Sequence, residues 1–206
     1  SGSGEALVYE AVKQGATVIL SARRGTELAR VKAVCGDRAN QCHIILLDLM
    51  NPADISAKAA AVLETFGRVD VLINNGGIGQ RGLVWETDIS VDRRIMEVNY
   101  FGAVALTKAI LPSMVARDSG HVVGISSLSG KFGWPMRSAY VASKHALDGF
   151  LETVYLELKD KNVHTTIVSP GRIKTNISLN ALKADGSTHG QMDPGQLKGL
   201  PADKCA

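Results

Sequence analysis

Five short apolar runs, separated by longer stretches of helical period, constrain the fold of this chain more than any other feature. The runs lie at 16–21, 42–48, 70–74, 121–126 and 163–169. Val- and Ile-rich runs of this length, without polar alternation, are typical of parallel strands that are covered by helices. We therefore expect an α/β fold with a doubly wound parallel sheet, in which all five strands are buried on both faces.

The intervening stretches predict the helices. Their periodicity favours helices at about 4–14, 25–35, 52–66, 89–116 and 136–161. Residues from about 176 to 200 are rich in Gly, Asp and Pro, which predicts a substrate loop or lid rather than another domain. We expect residues 1–206 to form a single domain.

The charge and the composition of the chain bear on its binding partners, its compartment and its need for a metal ion. A formal net charge of +3, with no Lys or Arg run longer than two residues, gives no support for nucleic-acid binding. An odd number of cysteines without a CxxC pair favours a reducing, cytoplasmic compartment. No run reaches the roughly 18 apolar residues of a spanning helix, so we expect no membrane segment, although an anchor preceding residue 1 is left open. We predict no metal site, because no ligand spacing joins His121, His145 and His189.

The stretch SAYVASKHAL carries the first chemical signal. It places Tyr140 and Lys144 four residues apart, one helical turn from each other. An ammonium group beside a phenol lowers the pKa of the phenol, which predicts a tuned proton donor. The pair alone also occurs by chance on solvated helices. However, Ser127 stands thirteen residues upstream, at the end of an apolar run, where open α/β sheets bind ligands.

Together with two further motifs, these residues point to a family. Asn99 lies inside a long predicted helix, and INNGG places Asn75, Gly76 and Gly77 after a predicted strand. The chain resembles the short-chain dehydrogenase/reductases, whose motifs are NNAG, a helix Asn, Ser, YxxxK and PG. The resemblance covers nearly the whole chain, and Gly76 replaces the Ala of NNAG. It implies a Rossmann-like sheet whose first and last strands lie outside the 206 residues.

The resemblance implies a role for each member of the catalytic set. Tyr140 is the general acid/base, Lys144 lowers its pKa and holds the nicotinamide ribose, and Ser127 binds the substrate oxygen. Asn99 holds a water of the proton relay. The alternative for Ser127 is that it only caps the end of a strand. The alternative for Asn99 is that it is an ordinary polar residue of a helix whose hydrogen bonds are satisfied.

The opening SGSG has two readings, a linker or the end of a glycine turn. The helix, glycine and buried strand that follow favour the turn, and the resemblance then places Gly2, Ser3 and Gly4 at the pyrophosphate, beside a helix N-terminus. It implies further cofactor contacts from Asp48, Leu49, Asn75, Gly76, Gly77, Tyr140, Lys144, Pro170, Gly171, Ile173 and Thr175.

The strand ending in ARR bears on cofactor choice. Arg23, assisted by Arg24, stands where NAD-preferring members carry a carboxylate. Guanidinium groups pair with a 2′-phosphate, which favours NADP (NADPH) over NAD. The alternative is that both arginines are merely solvated.

Substrate and partners follow from one branch of the family. The segments RGLVWETDISVDRRIMEVNYFG and SLNALKADGSTHGQMD resemble the dehydrogenase/reductase member 7 group, which implies an apolar or lipid-like carbonyl or alcohol substrate. Trp134, with Phe132 and Met136, is a candidate for the pocket wall or for packing. The long helices imply a homodimer or homotetramer. A non-catalytic dinucleotide-binding protein and an extended-branch epimerase or dehydratase remain the alternatives.

Overall fold

The computed structural model describes residues 2–206, which contain seven α-helices and nine strands. The helices are α1 Ser3–Lys13, α2 Gly25–Val34, α3 Pro52–Phe66, α4 Ile89–Met96, α5 Gly102–Ala116, α6 Ser138–Glu157 and α7 Pro194–Leu197. The strands are β1 Val18–Ala22, β2 Cys42–Leu46, β3 Val71–Asn74, β4 Gln80–Arg81, β5 Gly120–Ile125, β6 Val163–Val168, β7 Ile173–Lys174, β8 Leu182–Lys183 and β9 Leu200–Pro201.

The main strands are all parallel, as the alternation of strands and helices predicts. β1 pairs with β2, and β3, β5 and β6 form a sheet in that order, with Leu72 opposite Val122. Two short parallel pairs, β4 with β8 and β7 with β9, tie the C-terminal segment to the rest of the fold. Parallel pairing brings the carboxyl ends of the strands to one edge, which is where ligands bind in such sheets.

The expectation that all five strands are buried on both faces is wrong. In residues 2–206, β1 and β3 each pair with a strand on one side only, and an open slot separates them. Side chains beside this slot stay accessible, with Val71 at 51% and Ile73 at 40% exposure. The outer strand β2 also leaves Leu46 half exposed.

Each group of strands carries its own core. Leu72 and Val122 pack with Ile110, Leu147 and Leu151, which belong to α5 and α6, in the larger cluster. The smaller cluster contains Val12, Leu20, Leu28, Val31 and Cys42. The cysteines Cys35, Cys42 and Cys205 are all free.

The stretch predicted as one helix over 89–116 is α4, a π-helical turn over Glu97–Phe101, and α5. The apolar run lengths predicted no helix that could span a membrane. The helical stretch Ile89–Ala116 nevertheless has the length and the apolar composition of a membrane-spanning helix. Core helices of globular domains pass the same test, and this helix packs against α3 and α6. Its Ile95 and Met114 are completely buried.

The helix predicted over 136–161 is shorter at both ends. Met136 has a φ of 62°, a left-handed conformation that a helix cannot contain, so α6 begins at Ser138. It ends at Glu157, and Leu158 has left the helical conformation. The other helix boundaries differ from the prediction by one residue or less.

Candidate active site

The N-terminus of α6, which carries Tyr140 and Lys144, is held by a buried glutamine. The backbone N–H of Ala139 donates to Oε1 of Gln80 at 2.8 Å, and no side chain of α6 itself caps this end. Gln80 Nε2 donates to Ser138 Oγ at 3.4 Å. Because Gln80 is fully buried and lies in β4, it fixes the start of α6 against another element.

Lys144 lies almost completely inside the protein. Its ammonium group donates to the backbone carbonyl of Ile125, at the end of β5, at 2.8 Å. The same group lies 5.8 Å from the centre of the Tyr140 ring. Burial disfavours the charged form and lowers the pKa of Lys144 to about 8, while the carboxylate of Asp148 opposes this effect.

The pKa of Tyr140 corrects one expectation. The sequence predicted that Lys144 lowers it, but burial of the phenol outweighs all other effects and raises the pKa. The groups that oppose this rise are Ser127, by a hydrogen bond, and then the charges of Arg81 and Arg137. Burial therefore favours the protonated form of Tyr140, which the predicted role of proton donor requires.

Ser127 is positioned by the end of β5. It adopts an extended backbone and precedes a short 3₁₀ turn over Leu128–Gly130. Its Oγ accepts a hydrogen bond from the N–H of Ser129 at 3.2 Å, so it caps this turn. It also hydrogen-bonds Tyr140. The capping role and the catalytic position are therefore compatible.

Asn99 occupies the π-helical turn, a distortion that frequently marks functional sites. Its Oδ1 accepts from the N–H of Ile78 at 2.8 Å, and its Nδ2 donates to the Ile78 carbonyl and to Ser143 Oγ, both at 3.0 Å. A methyl group at Gly77 would lie 3.3 Å from Asn99 Oδ1 and 3.7 Å from Lys144 Nζ. Gly77 therefore lets these polar groups converge.

The glycines predicted to bind the cofactor form a cradle that a Cβ atom would fill. Gly2 has a φ of 69°, and a Cβ there would come 2.8 Å from Thr175 Cγ2. At Gly4, a Cβ would come 2.5 Å from Asn75 Nδ2. The start of α1, the end of β3 and the segment after β7 therefore meet at one edge, and the cradle fits a phosphate-containing group at a helix N-terminus.

A cleft of about 1320 Å³ joins this cradle to the predicted catalytic residues and continues into the slot between β1 and β3. The predicted site residues that line it are Ser3, Gly4, Arg24, Asn75, Gly76, Gly77, Ser127, Trp134, Tyr140, Lys144, Pro170, Gly171, Ile173 and Thr175.

The remaining predicted residues lie behind or beside the cleft wall. Arg23 and Arg24 are both exposed, and of the two only Arg24 lines the cleft. Asp48 accepts a hydrogen bond from the N–H of Met50 at 3.0 Å. Leu49 supports the wall from behind, because a Cβ at Gly76 would meet its side chain. In residues 2–206, no group of three His, Cys, Asp or Glu side chains is placed to hold a metal ion.

An ion-pair cluster in the cleft wall, near the start of α6, was not predicted from the sequence. Asp193, just before α7, pairs with Arg81, and its carboxylate lies 2.9 Å from an Nη atom of Arg137. Although burial opposes ionisation, the two arginines keep the pKa of Asp193 below its ordinary value. Arg81 and Asp193 are 112 positions apart, so no local pattern signals their contact.

The sequence similarity of this chain to known proteins identifies its family. The family model described as "short chain dehydrogenase" matches residues 1–185. The chain belongs to the short-chain dehydrogenase family. The α/β, Rossmann-like fold expected from the sequence is thereby confirmed.

Relatives from the expected branch are also similar. The chain is 48% identical to a fly (Drosophila melanogaster) "Dehydrogenase/reductase SDR family protein 7-like", covering 100% of this chain and 64% of that protein. It is 46% identical to mouse (Mus musculus) "Dehydrogenase/reductase SDR family member 7B", covering 93% and 61%. The chain thus spans somewhat over three fifths of these relatives. The resemblance to the member 7 group is confirmed.

A solved structure of the same fold contains a cofactor. The closed form of a serine dehydrogenase complexed with NADP⁺ superposes with a TM-score of 0.85 at 26% identity, covering 99% of this chain and 82% of that one.

Proposed function

We propose that the chain carries the active site of an NADP(H)-dependent oxidoreductase that interconverts a carbonyl and an alcohol. One observation carries the proposal: Tyr140, Lys144 and Ser127 line the same cleft as Gly4 at the start of α1. A dinucleotide whose phosphates bind at that helix N-terminus can extend along the sheet edge toward the catalytic residues.

The protein's own contribution is binding, orientation and proton transfer. The cofactor supplies the hydride when it is bound. Ser127 hydrogen-bonds the substrate oxygen and aligns it with the phenol of Tyr140. The hydroxyl of Tyr140 gives its proton to that oxygen. The charges of Arg81 and Arg137 favour the phenolate that is left, and we assign the same effect to the Lys144 ammonium, which lies 5.8 Å from the centre of the ring. Proton transfer by a positioned group of this kind contributes about 10² to 10⁴ in rate.

The choice of NADP over NAD rests on the arginines after β1. Arg24 lines the cleft beside the end of β1, Arg23 precedes it, and both side chains are exposed. A guanidinium group favours a 2′-phosphate. The serine dehydrogenase complex, whose partner is NADP⁺, supports the same choice. We expect Arg24→Ala to lose more NADP than NAD affinity, and an unchanged ratio would contradict this assignment.

The substrate side supports an apolar compound. Phe132, Trp134 and Met136 each leave between 39% and 46% of their surface accessible beside the catalytic helix, and Trp134 is in the cleft wall. The segment 176–200 acts as the lid, because Asp193 ties it to Arg81 and Arg137 across the cleft.

Partners and compartment extend the same proposal. Phe101, Tyr155 and Leu156 are large apolar side chains on the long helices with at least half of their surface exposed, which supports a homodimer or homotetramer. A cytoplasmic location agrees with the three free cysteines. Analytical ultracentrifugation tests the first statement: a monomer at micromolar concentration would contradict it.

Turnover of NADPH against a panel of carbonyl compounds tests the function. We expect Tyr140→Phe to lose at least about a hundredfold in rate, since it removes only the proton donor. Tyr155→Phe is the matched control, because Tyr155 is exposed on the same helix, and should keep wild-type turnover. Equal turnover in all three proteins would refute the assigned mechanism.

A further inference from the structure

The buried ammonium group of Lys144 has one opposite charge close to it. On α6 its neighbours are the neutral Tyr140 ring and Asp148, one turn further along. β5 contributes the carbonyl oxygen of Ile125, and the π-helical turn contributes the neutral amide of Asn99. Among the described residues, Asp148 is the only charged group that shifts the pKa of Lys144, and it raises it.

Asp148 is an unusual residue for the middle of a helix. It is 4% exposed, although aspartates are almost never fully buried unless they are paired. Its one partner in residues 2–206 is the ammonium group of Lys131, which lies 2.9 Å from Oδ2. Within the described part of the chain, no hydroxyl, amide or indole group donates a hydrogen bond to either oxygen. Burying a carboxylate with so few donors is costly, so its position needs a reason.

The turn Leu128–Gly130, which follows Ser127, packs closely against this carboxylate. Gly130 lies against it, since a Cβ there would come 2.7 Å from both Asp148 Oδ2 and Ser126 Oγ. Ser126 Oγ is also buried and has no hydrogen-bond partner in the described part of the chain. The backbone next to Ser127 thus leaves room for an acidic side chain behind the catalytic residues.

We propose that Asp148 is a positioning residue of the active site, whose buried carboxylate keeps the Lys144 ammonium in its charged form. Lys131 is the surface counter-ion of this carboxylate, which makes the buried charge tolerable. The effect on the charge of Lys144 belongs to the free protein. Its consequence for turnover rests on the proposed function, in which a charged Lys144 stabilises the phenolate of Tyr140.

Two opposing effects set the charge of Lys144. Burial lowers its pKa to about 8, and the negative charge of Asp148 raises it. An opposite charge near an amine favours the charged form and raises the pKa of the amine. Without Asp148, the pKa of Lys144 should fall below about 8, so that a larger fraction of the protein has a neutral amine at physiological pH.

Titration of the Lys144 ¹³Cε resonance by NMR tests the inference without substrate or cofactor. The resonance is assigned by its absence in Lys144→Met. In the nearly isosteric Asp148→Asn, we expect the midpoint to move to lower pH by about 1 or more. An unchanged midpoint would overturn the inference.

Two further variants separate the charge of Asp148 from general disturbance of the helix. Glu152→Gln removes a carboxylate one turn further on, which is exposed and lies 3.9 Å from the same Lys131 ammonium, and should leave the midpoint unchanged. Asp148→Ser removes the same charge with a smaller side chain and should lower the midpoint in the same direction. If Asp148→Asn does not fold, an unchanged midpoint in Asp148→Ser still refutes the inference.

The catalytic consequence appears in the pH profile of kcat with NADPH. In Asp148→Asn the alkaline loss of activity should begin at lower pH than in the wild type, and acidification should restore the rate. A uniform loss at every pH would indicate a merely structural role. If the wild type itself shows no turnover, the proposed function fails, whereas the NMR titration still decides the role of Asp148.

Discussion

Replacing Lys144 by Met should change how the stability of the protein depends on pH. Methionine is apolar and about as long as the buried part of the lysine side chain. In the folded wild type the pKa of Lys144 is about 8 instead of 10.5. Between these values the unfolded chain binds a proton at Lys144 that the folded protein has released. The wild type therefore gains stability as the pH rises through this window, and the variant lacks this gain.

The magnitude follows from the displacement of the pKa. Each pH unit corresponds to about 1.4 kcal/mol, so the change from 10.5 to about 8 corresponds to about 3 kcal/mol for a fully buried group. The absolute difference between the two proteins also includes the lost hydrogen bond to the Ile125 carbonyl and the lost attraction to Asp148. The change of that difference with pH isolates the titration of Lys144.

Urea unfolding followed by circular dichroism at about pH 7 and about pH 10 measures the effect. The free energy of unfolding of the wild type, relative to that of Lys144→Met, should rise by about 2 to 3 kcal/mol between the two conditions. A difference that stays constant, or that falls, would show that the amine is not desolvated in the folded protein. Burial would then be refuted as the cause of the low pKa of Lys144.

Three further variants probe other contacts. Gly4→Ala places a methyl group 2.5 Å from Asn75 Nδ2, so NADPH affinity measured by fluorescence should fall about tenfold or more, with little change in unfolding free energy. Gln80→Leu removes the acceptor of the Ala139 N–H, and should destabilise the protein by about 1 to 3 kcal/mol in thermal unfolding; a smaller loss would argue against this anchor. Asp193→Asn should raise KM for the carbonyl substrate several-fold by loosening the lid, whereas the exposed Asp185→Asn should leave KM unchanged.

Local periodicity was sufficient to predict the main elements. The helix predicted over 52–66 is α3, because Asn51 caps it, Pro52 starts it and Gly67 ends it. These signals lie within the segment itself. The short-range spacing of Tyr140 and Lys144 likewise placed both side chains in the cleft.

Contacts between distant segments could not be predicted in the same way. Gln80 is a single polar residue between two motifs, and only the fold brings it to the start of α6. The cluster of Arg81, Arg137 and Asp193 is assembled from three separate segments. Asp148 is a different case. The sequence shows an acidic residue one helical turn after Lys144, but it does not show that this residue is buried.

The exposure of the strand residues could not be predicted for another reason. Val71 and Ile73 are as apolar as the residues of a fully buried strand, and the sequence shows only that such residues favour burial. Their exposure depends on which strands pair with β3, which is a property of the whole sheet.

The central claim is that the cleft brings a hydride donor and the proton of Tyr140 to the same carbonyl group. Reduction of an accepted substrate with NADPH deuterated at the transferring position of the nicotinamide tests it most directly, with mass spectrometry of the product. We expect one deuterium on the carbinol carbon in ordinary water, and none on that carbon when unlabelled NADPH is used in D₂O. Carbon-bound deuterium that comes from the solvent, or product without label from the cofactor, would contradict direct hydride transfer at this site.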